Sequence, residues 1–394
     1  MNKPNFLKSY KKLTTDLLKT HEEKKSMSLA VGGDFEEKRL AKAYVQAVAK
    51  DPSTFIDLIS PDDEMYIFTR NNTKTQKEAA SYLYLELGRE CFKSIENIVK
   101  SFGKSFGDMG GFLDFACGYG RVTRFLIQEI APNKIWVSDI YKGAVDFQKK
   151  YFKVNGFYSY AEPSNVEFPR KFEIIYVGSL FSNLPENRFK EWLSVLWDIL
   201  DDGGILIFST HGEPICPPGI QMSPSGFVFL SRSESRTLST KEYGVTFVTN
   251  GWVKNLAARL GINSIHFLEQ ELCGYQDVYV ATKQNLSSLN NLMPTNYSKG
   301  HIDSIQITKE GNLYVAGWAF EKSVGAPVKE ISIYAEDELL GKASLGGSRP
   351  DVANHFGKPA CLNSGWEFDG GKLVLRDKIN CRDGVILIKV LLRK

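Results

Sequence analysis

The run Phe112-Leu-Asp-Phe-Ala-Cys-Gly-Tyr-Gly120 constrains this chain more than any other stretch. It reads as a short buried strand that carries an acid near its end and enters a tight turn of small residues. In Arg121–Ile130, which follows, Val122, Phe125, Leu126 and Ile130 recur at helical spacing. A strand, a glycine turn and a helix present backbone N–H groups to a ligand at the carboxyl edge of an open α/β sheet. After one more strand, Lys134-Ile-Trp-Val-Ser138, comes Asp139, nineteen positions beyond Gly120. That spacing suits a carboxylate that accepts hydrogen bonds from ribose hydroxyls. The combination predicts a nucleoside-containing cofactor.

The residues of the turn narrow the choice. No Gly-Lys-Ser/Thr closes a phosphate loop. A dinucleotide fingerprint wants a third small residue where Thr123 stands, and Asp114 would repel a pyrophosphate. An acid there suits a ligand with an amino group. At Asp114, Gly118 and Gly120 the run resembles the first motif of class I S-adenosylmethionine-dependent methyltransferases, acid-x-Gly-x-Gly-x-Gly, with Ala116 replacing the first glycine. Ala is small, although it disfavours a positive φ. The resemblance implies S-adenosyl-L-methionine held by Asp114, Ala116, Gly118, Gly120, Asp139, Ile140, Ser179 and Leu180. In that arrangement Asp114 lies near the amino end, Asp139 takes the ribose, and Ser179 and Leu180 lie under the sulfonium. Adenine falls near Ala161 and Glu162.

Composition sets the outer bounds. The 394 residues, 43% hydrophobic and 24% charged, are ordinary for a globular protein and long enough for two to three domains. A net charge of +3 without a dense basic stripe gives no push toward nucleic acid. Six cysteines without a C-x-x-C suggest neither a zinc site nor a disulfide framework, so no metal is expected. No apolar run reaches the roughly 18 residues that span a bilayer, and the N-terminus lacks a signal-peptide core. A cytoplasmic enzyme without a transmembrane segment is the expectation.

In chain order, residues 5–25 read as an amphipathic helix, a docking element for a partner or a membrane surface, or a helix packed on its own protein or a dimer mate. A second helix is expected over about 35–50, turns at Asp51–Phe55 and Ser60–Glu64, and a long helix from Thr75 to Phe102. Asp63, Tyr66, Tyr82, Tyr84 and Gly88 are candidates for a lid of the kind the resemblance implies, or for packing. Strands follow at Phe157–Tyr160, Phe172–Gly178 and Ile205–Thr210, with a helix over 186–200 and a turn at Asp201–Gly204. Ile262–Glu269 and Gln276–Thr282 close the module as an antiparallel hairpin. The fold class is α/β, a Rossmann-like class I methyltransferase sheet with an N-terminal helical extension and a C-terminal all-β sandwich. Its expected parts are 1–74, 75–284, a linker over 285–300, and 301–394, where period-two alternation without a helical stretch implies short strands.

Leu113–Arg124, Ser179–Leu184, Asp202–Gly204, Thr210–Gly212, Tyr243-Gly244 and Gln276–Val278 together resemble bacterial methyltransferases associated with sugars and surface glycans. Two positions depart from that pattern, Asn183 where His is common and Glu173 where Asp is common. Gly317–Phe320, Gly347–Ala353 and Ser364–Trp366 resemble a module attached to glycosyltransferases and methyltransferases of polysaccharide pathways. The resemblance implies O-methylation of a sugar or glycan hydroxyl. An amine or small-metabolite acceptor, and a non-catalytic scaffold assembling through the β module, are the alternatives.

A hydroxyl acceptor needs a base. His211, just past the fifth strand, is the candidate, with Glu213 as fallback. The stretch 213–250 interrupts the alternation and is expected to form the acceptor site through Arg232, Glu234 and Tyr243, beside Phe227, Phe229 and Arg236. Trp318, Trp366 and Arg349 could stack on a glycan or serve the core.

Overall fold

The computed structural model describes residues 35–72, 79–232, 235, 238–284, 289, 292, 294, 298–307, 312–322, 324–335, 338–372 and 388–393. The proposed helix over 5–25 lies outside them, as do Glu234 and Arg236. Among the described residues the chain forms two compact units. One takes residues up to Pro52, those of Met65–Tyr84 and those after Asn296; the other takes Ser53–Glu64 and Leu85–Thr295.

Among the described residues three helices come first: α1 (Phe35–Val48), α2 (Glu64–Asn72) and α3 (Ala80–Ser101). α2 follows the turn expected at Ser60–Glu64 and was not itself expected. The sheet unit then runs β1 (Phe112–Phe115), α4 (Thr123–Leu126), β2 (Ile135–Asp139), α5 (Lys142–Tyr151), β3 (Asn155–Tyr158), β4 (Phe172–Val177), α6 (Glu186–Asp198) and β5 (Leu200–Gly212). It continues through β6 (Phe227–Leu230), β7 (Val245–Val248), α7 (Asn250–Arg259), β8 (Ile265–Leu272) and β9 (Gln276–Thr282). Strands β3-β2-β1-β4-β5 are parallel neighbours in that order. β9 lies antiparallel beside β5, and β8 antiparallel outside β9. The mostly parallel Rossmann-like sheet expected from the sequence is present.

Burial on both faces explains why these strands are nearly all apolar. Phe112, Ile174, Ile205 and Ile207 point to one face, where Ile95 and Val99 of α3, Val122, Leu126 and Val145 cover them. Leu113, Phe115, Ile175, Val177, Leu206 and Phe208 point to the other, against Phe189, Trp192, Leu193 and Leu196 of α6 and Trp252 and Leu256 of α7. At about 1.5–3 kcal/mol per buried large side chain, these layers dominate the stability of the unit.

Several limits differ from expectation. β5 starts at Leu200 because Asp201–Gly204 bulges within the strand, with Gly203 at φ +77°, instead of leaving the sheet. β3 and β8 are displaced by two or three residues, and the α-helix after the glycine turn is short, its winding continuing as turns to Ile130. The stretch 213–250 is not a plain loop. β6 and β7 pair antiparallel, and β7 pairs with the tip of β5 at His211↔Phe247 and Gly212↔Val248, extending the sheet. α7 was not anticipated, although Thr249 caps it by accepting the Trp252 N–H at 3.2 Å.

The C-terminal part holds β10 (Ser298–Ile307), β11 (Asn312–Glu321), β12 (Glu330–Ala335), β13 (Glu338–Lys342), β14 (Ser344–Gly347), α8 (Pro350–Phe356), β15 (Gly365–Lys372) and β16 (Ile388–Arg393). They make two antiparallel sheets, β10-β11-β15-β14 and β13-β12-β16. Ile305, Leu313, Val315, Trp366 and Phe368 of the first share one apolar cluster with Ile331, Ile333 and Ala335 of the second. α8 corrects the expectation of a helix-free module; Val352 on it packs with Phe320 and Cys361. Trp366 is 4% exposed and serves the core, not a glycan surface. Arg349 is held by Asp303 and by both oxygens of Asp351. No helix among the described residues is long and apolar enough to cross a membrane.

Candidate cofactor and acceptor site

The glycine turn at the end of β1 is built from left-handed residues. Ala116, Gly118 and Gly120 have φ of +56°, +53° and +81°. Ala116 therefore adopts the conformation its side chain disfavours, at a cost of about 1 kcal/mol relative to glycine. The two glycines serve different ends. A Cβ on Gly118 would meet nothing within 4 Å, so this is the open face where a ligand can reach the backbone. A Cβ on Gly120 would lie 2.2 Å from the Phe152 ring. Gly120 therefore lets the turn pack on the α5 end.

Two carboxylates flank the turn. Asp139, buried at the end of β2, accepts the Gly118 N–H at Oδ2 (2.8 Å) and the Tyr141 N–H at Oδ1 (2.9 Å). Asp114 accepts the Thr123 hydroxyl at 2.7 Å. Thr123, which breaks the dinucleotide pattern, is thus the partner of the acid that breaks it too. Burial pushes Asp114 up to about 7, opposed by the Thr123 hydrogen bond and reinforced by the charge of Asp139. Burial likewise pushes Asp139 up to about 6, against the hydrogen bonds from Tyr141, Gly118 and Ile140. Ile140 contributes this N–H while its side chain stays half-buried. Asp62, Asp63 and Glu64 add negative charge around Tyr119, in the turn itself.

A guanidinium locks this arrangement. Arg124 is fully buried; its Nε donates to the Gly120 carbonyl at 3.0 Å and its Nη1 to the Ile56 and Leu58 carbonyls at 3.1 and 3.3 Å. It also lies 5.4 Å over the Phe152 ring. From the opposite side Gln148 donates to the Gly118 carbonyl at 2.7 Å. Neither residue was recognised from the sequence as part of the site.

A second polar group lies at the ends of β4, β5 and β9. Ser179 is left-handed at φ +62°, its N–H bonded to Ser209 Oγ at 2.8 Å. Gln276 Oε1 accepts from the hydroxyls of Ser179 (3.1 Å) and Ser209 (2.6 Å). The Gln276 amide nitrogen lies 3.3 Å from His211 Nε2 and donates to it, since its oxygen is already taken. Ser182 and Asn183 donate to the Ser179 carbonyl, so Asn183 shapes the loop. Leu180 packs half-buried against the apolar layer beneath.

His211 sits between the rings of Phe247 and Tyr275, each 5.4 Å away. Burial pushes the imidazole down to about 4, opposed only by the Thr246 backbone, so it is neutral at physiological pH with its Nε2 lone pair occupied. Nδ1 is buried without a well-aligned hydrogen bond, its contact with the Thr246 backbone being too poor in geometry to count as one.

The remaining expected residues scatter. Glu213 and Arg232 are exposed and belong to neither polar group. Tyr243 is half-buried against the apolar layer, and Phe227 is core, packed on Trp252 at 4.7 Å. Glu162 is exposed and paired with Arg188 at 2.8 Å. Glu173 lies at the amino edge, where it accepts the Gly110 N–H at 2.8 Å and pairs with Lys104. Tyr66 bonds Glu37 and packs edge-on to Tyr84, and a Cβ on Gly88 would strike the Arg121 carbonyl, so these lid candidates have packing roles. The stretch 213–250 does approach the site, because Gly244 and Thr246 donate to the Asn183 and Ser182 carbonyls, both at 2.8 Å. Among the described residues no cluster of three or more metal-ligating side chains occurs.

No protein-family model matches the chain, and no curated protein matches it in sequence. Solved structures do resemble it. One is an S-adenosylmethionine-dependent methyltransferase from Clostridium acetobutylicum ATCC 824, 14% identical, covering 50% of this chain and 92% of that one at a TM-score of 0.36. Another is the N-methyltransferase NodS from Bradyrhizobium japonicum WM9 in complex with S-adenosyl-L-homocysteine, 12% identical, covering 51% and 88% at 0.34. A third is the pyocyanin biosynthetic protein PhzM, 13% identical, covering 56% and 62% at 0.37. At such identities and TM-scores these remain likenesses, and a functional reading has to come from the site itself.

Proposed function

We propose that the chain is an S-adenosylmethionine-dependent methyltransferase acting on a sugar hydroxyl. The observation that carries the cofactor reading is the pairing of two buried carboxylates across the open Gly118 turn, with further acids around Tyr119. Such a crevice favours a cationic nucleoside and repels a pyrophosphate. Asp114 would face the cofactor's ammonium, Asp139 its ribose hydroxyls, and Ser179 and Leu180 its sulfonium. When bound, the cofactor supplies an electrophilic methyl group; the chain's part is to align the acceptor in line and exclude water.

The sugar acceptor rests on the sequence pattern and on a β6–β7 hairpin sewn to the loop after β4. His211 is neutral and so able to accept a proton, once an acceptor hydroxyl takes the place of the Gln276 amide at Nε2. Replacement by Ala should lower turnover at least about a hundredfold, the lower end of the usual range for general-base loss, and leave cofactor affinity unchanged. Equal turnover in His211→Ala would remove it from the mechanism. An amine acceptor is the second reading, favoured by the acids around Tyr119. Calorimetry with S-adenosylmethionine tests the cofactor, and a labelled-methyl assay on oligosaccharides against amines tests the acceptor.

The raised carboxyls give a pH test. Between roughly pH 4 and 7 the folded protein holds protons that the unfolded chain has lost, so the stability of the ligand-free protein should fall as pH rises through that window. A cationic ligand requires those protons to leave. Affinity for S-adenosylmethionine should therefore rise about a hundredfold from pH 5.5 to 7.5, with proton release seen in buffers of different ionisation enthalpy. Affinity that falls over this range would contradict the placement.

A further inference from the structure

Helix α3 and the turn between β8 and β9 bring two thiols together. Cys91 Sγ lies 3.6 Å from Cys273 Sγ, although the residues are 182 positions apart. Both are reduced. Cys91 is buried, whereas Cys273 is half-buried at the turn, with its Sγ also 3.7 Å from the Leu87 carbonyl of α3. The surroundings separate the pair chemically. The hydrogen bond with Cys273 pushes the Cys91 thiol down, and the Arg121 charge and the Tyr176 hydroxyl assist against burial. Cys273, bonded to Cys91 and buried beside it, is pushed up. At this separation a sulfenic acid formed on one sulfur lies within reach of the other, which can resolve it.

We propose that Cys91 and Cys273 are a reversible, peroxide-sensitive modification site that joins α3 to the turn presenting Gln276. The Cys91 thiolate attacks one oxygen of hydrogen peroxide, the O–O bond breaks, and the departing hydroxide takes up the proton Cys91 had lost and leaves as water. The Cys273 sulfur then attacks the sulfur of the Cys91 sulfenic acid. The S–O bond breaks, and that hydroxide leaves as water with the proton of Cys273. Peroxide accepts the two electrons and supplies the oxygen of both waters. The sulfurs must close by about 1.5 Å to reach disulfide length, a movement the turn can supply. Gln276 follows Cys273 by three residues and holds Ser179, Ser209 and His211, so the link bears directly on the second polar group.

The test uses the full chain treated with hydrogen peroxide, blocked with a maleimide and mapped by mass spectrometry without reduction. Thiols counted in denaturant should fall from six to four, with one linked peptide pair carrying Cys91 and Cys273. Dithiothreitol should restore all six. In Cys273→Ser the link should vanish, and Cys91 should proceed to a sulfinic acid that dithiothreitol does not reverse. The proposal is overturned if the count stays at six or if Cys91 is over-oxidised in the unaltered chain. It fails equally if Cys273→Ser loses two thiols just as readily. None of these readouts depends on methyl transfer.

Discussion

Asp139→Asn is expected to weaken S-adenosylmethionine binding by at least about a hundredfold. An ionised carboxylate offers roughly four acceptor positions; here the Gly118 and Tyr141 N–H groups hold one on each oxygen, and the Ile140 N–H makes a further contact. Ribose hydroxyls would take what is left on the two oxygens. Hydrogen bonds to a charged group contribute about 1.5–3 kcal/mol each, so losing a bidentate pair exceeds the 2.7 kcal/mol or so that a hundredfold represents. The substitution does more than remove charge. An asparagine amide must turn its NH2 toward one of the two backbone donors, so donor meets donor. The fold should lose about 1–3 kcal/mol with the turn geometry. Calorimetry beside thermal unfolding separates the effects. Binding within threefold of the unaltered chain would show that the carboxylate only caps the strand.

The second large effect is expected at Arg124. Arg124→Met keeps most of the apolar volume and removes the donors to Gly120, Ile56 and Leu58. Buried carbonyls are then left without partners, and the segment carrying Asp62 and Asp63 loses its tether to the glycine turn. Breaking a buried, multiply bonded charge costs about 3–5 kcal/mol. Urea unfolding measures it directly, and Arg124→Lys, which can reach some of the same carbonyls, should recover part of the loss. A change within about 0.5 kcal/mol, the usual range for surface substitutions, would mean the guanidinium is dispensable.

These residues show what was legible beforehand. Asp114, Gly118 and Asp139 were readable because a strand–turn–helix fixes their spacing locally, and period-two and helical patterns located the buried strands. Gln276 and Arg124 were visible as letters, but their partners lie far along the chain, Ser179 in one case and Ile56 in the other. Only the closed sheet reveals such pairings. α7 was missed although Trp252, Val253, Leu256 and Ala257 have helical spacing and Thr249 supplies a cap. The long polar stretch before it drew the reading toward a loop. His211 stood out by residue type, whereas the burial that pushes it down depends on β7, an element that no local pattern announced.

The position of β9 has a consequence for biosynthesis. It is the last strand of its sheet to leave the ribosome, yet it lies between β5 and β8 and brings Gln276 to residues made far earlier. A nascent chain stopped before residue 276 can pair its five parallel strands and still lack the amide that steadies Ser179 and His211. Long-range pairing of this kind forms slowly, after local helices and turns. The crevice at the carboxyl edge should therefore mature late, and truncated products would carry most of the sheet without the finished polar group at the ends of β4 and β5.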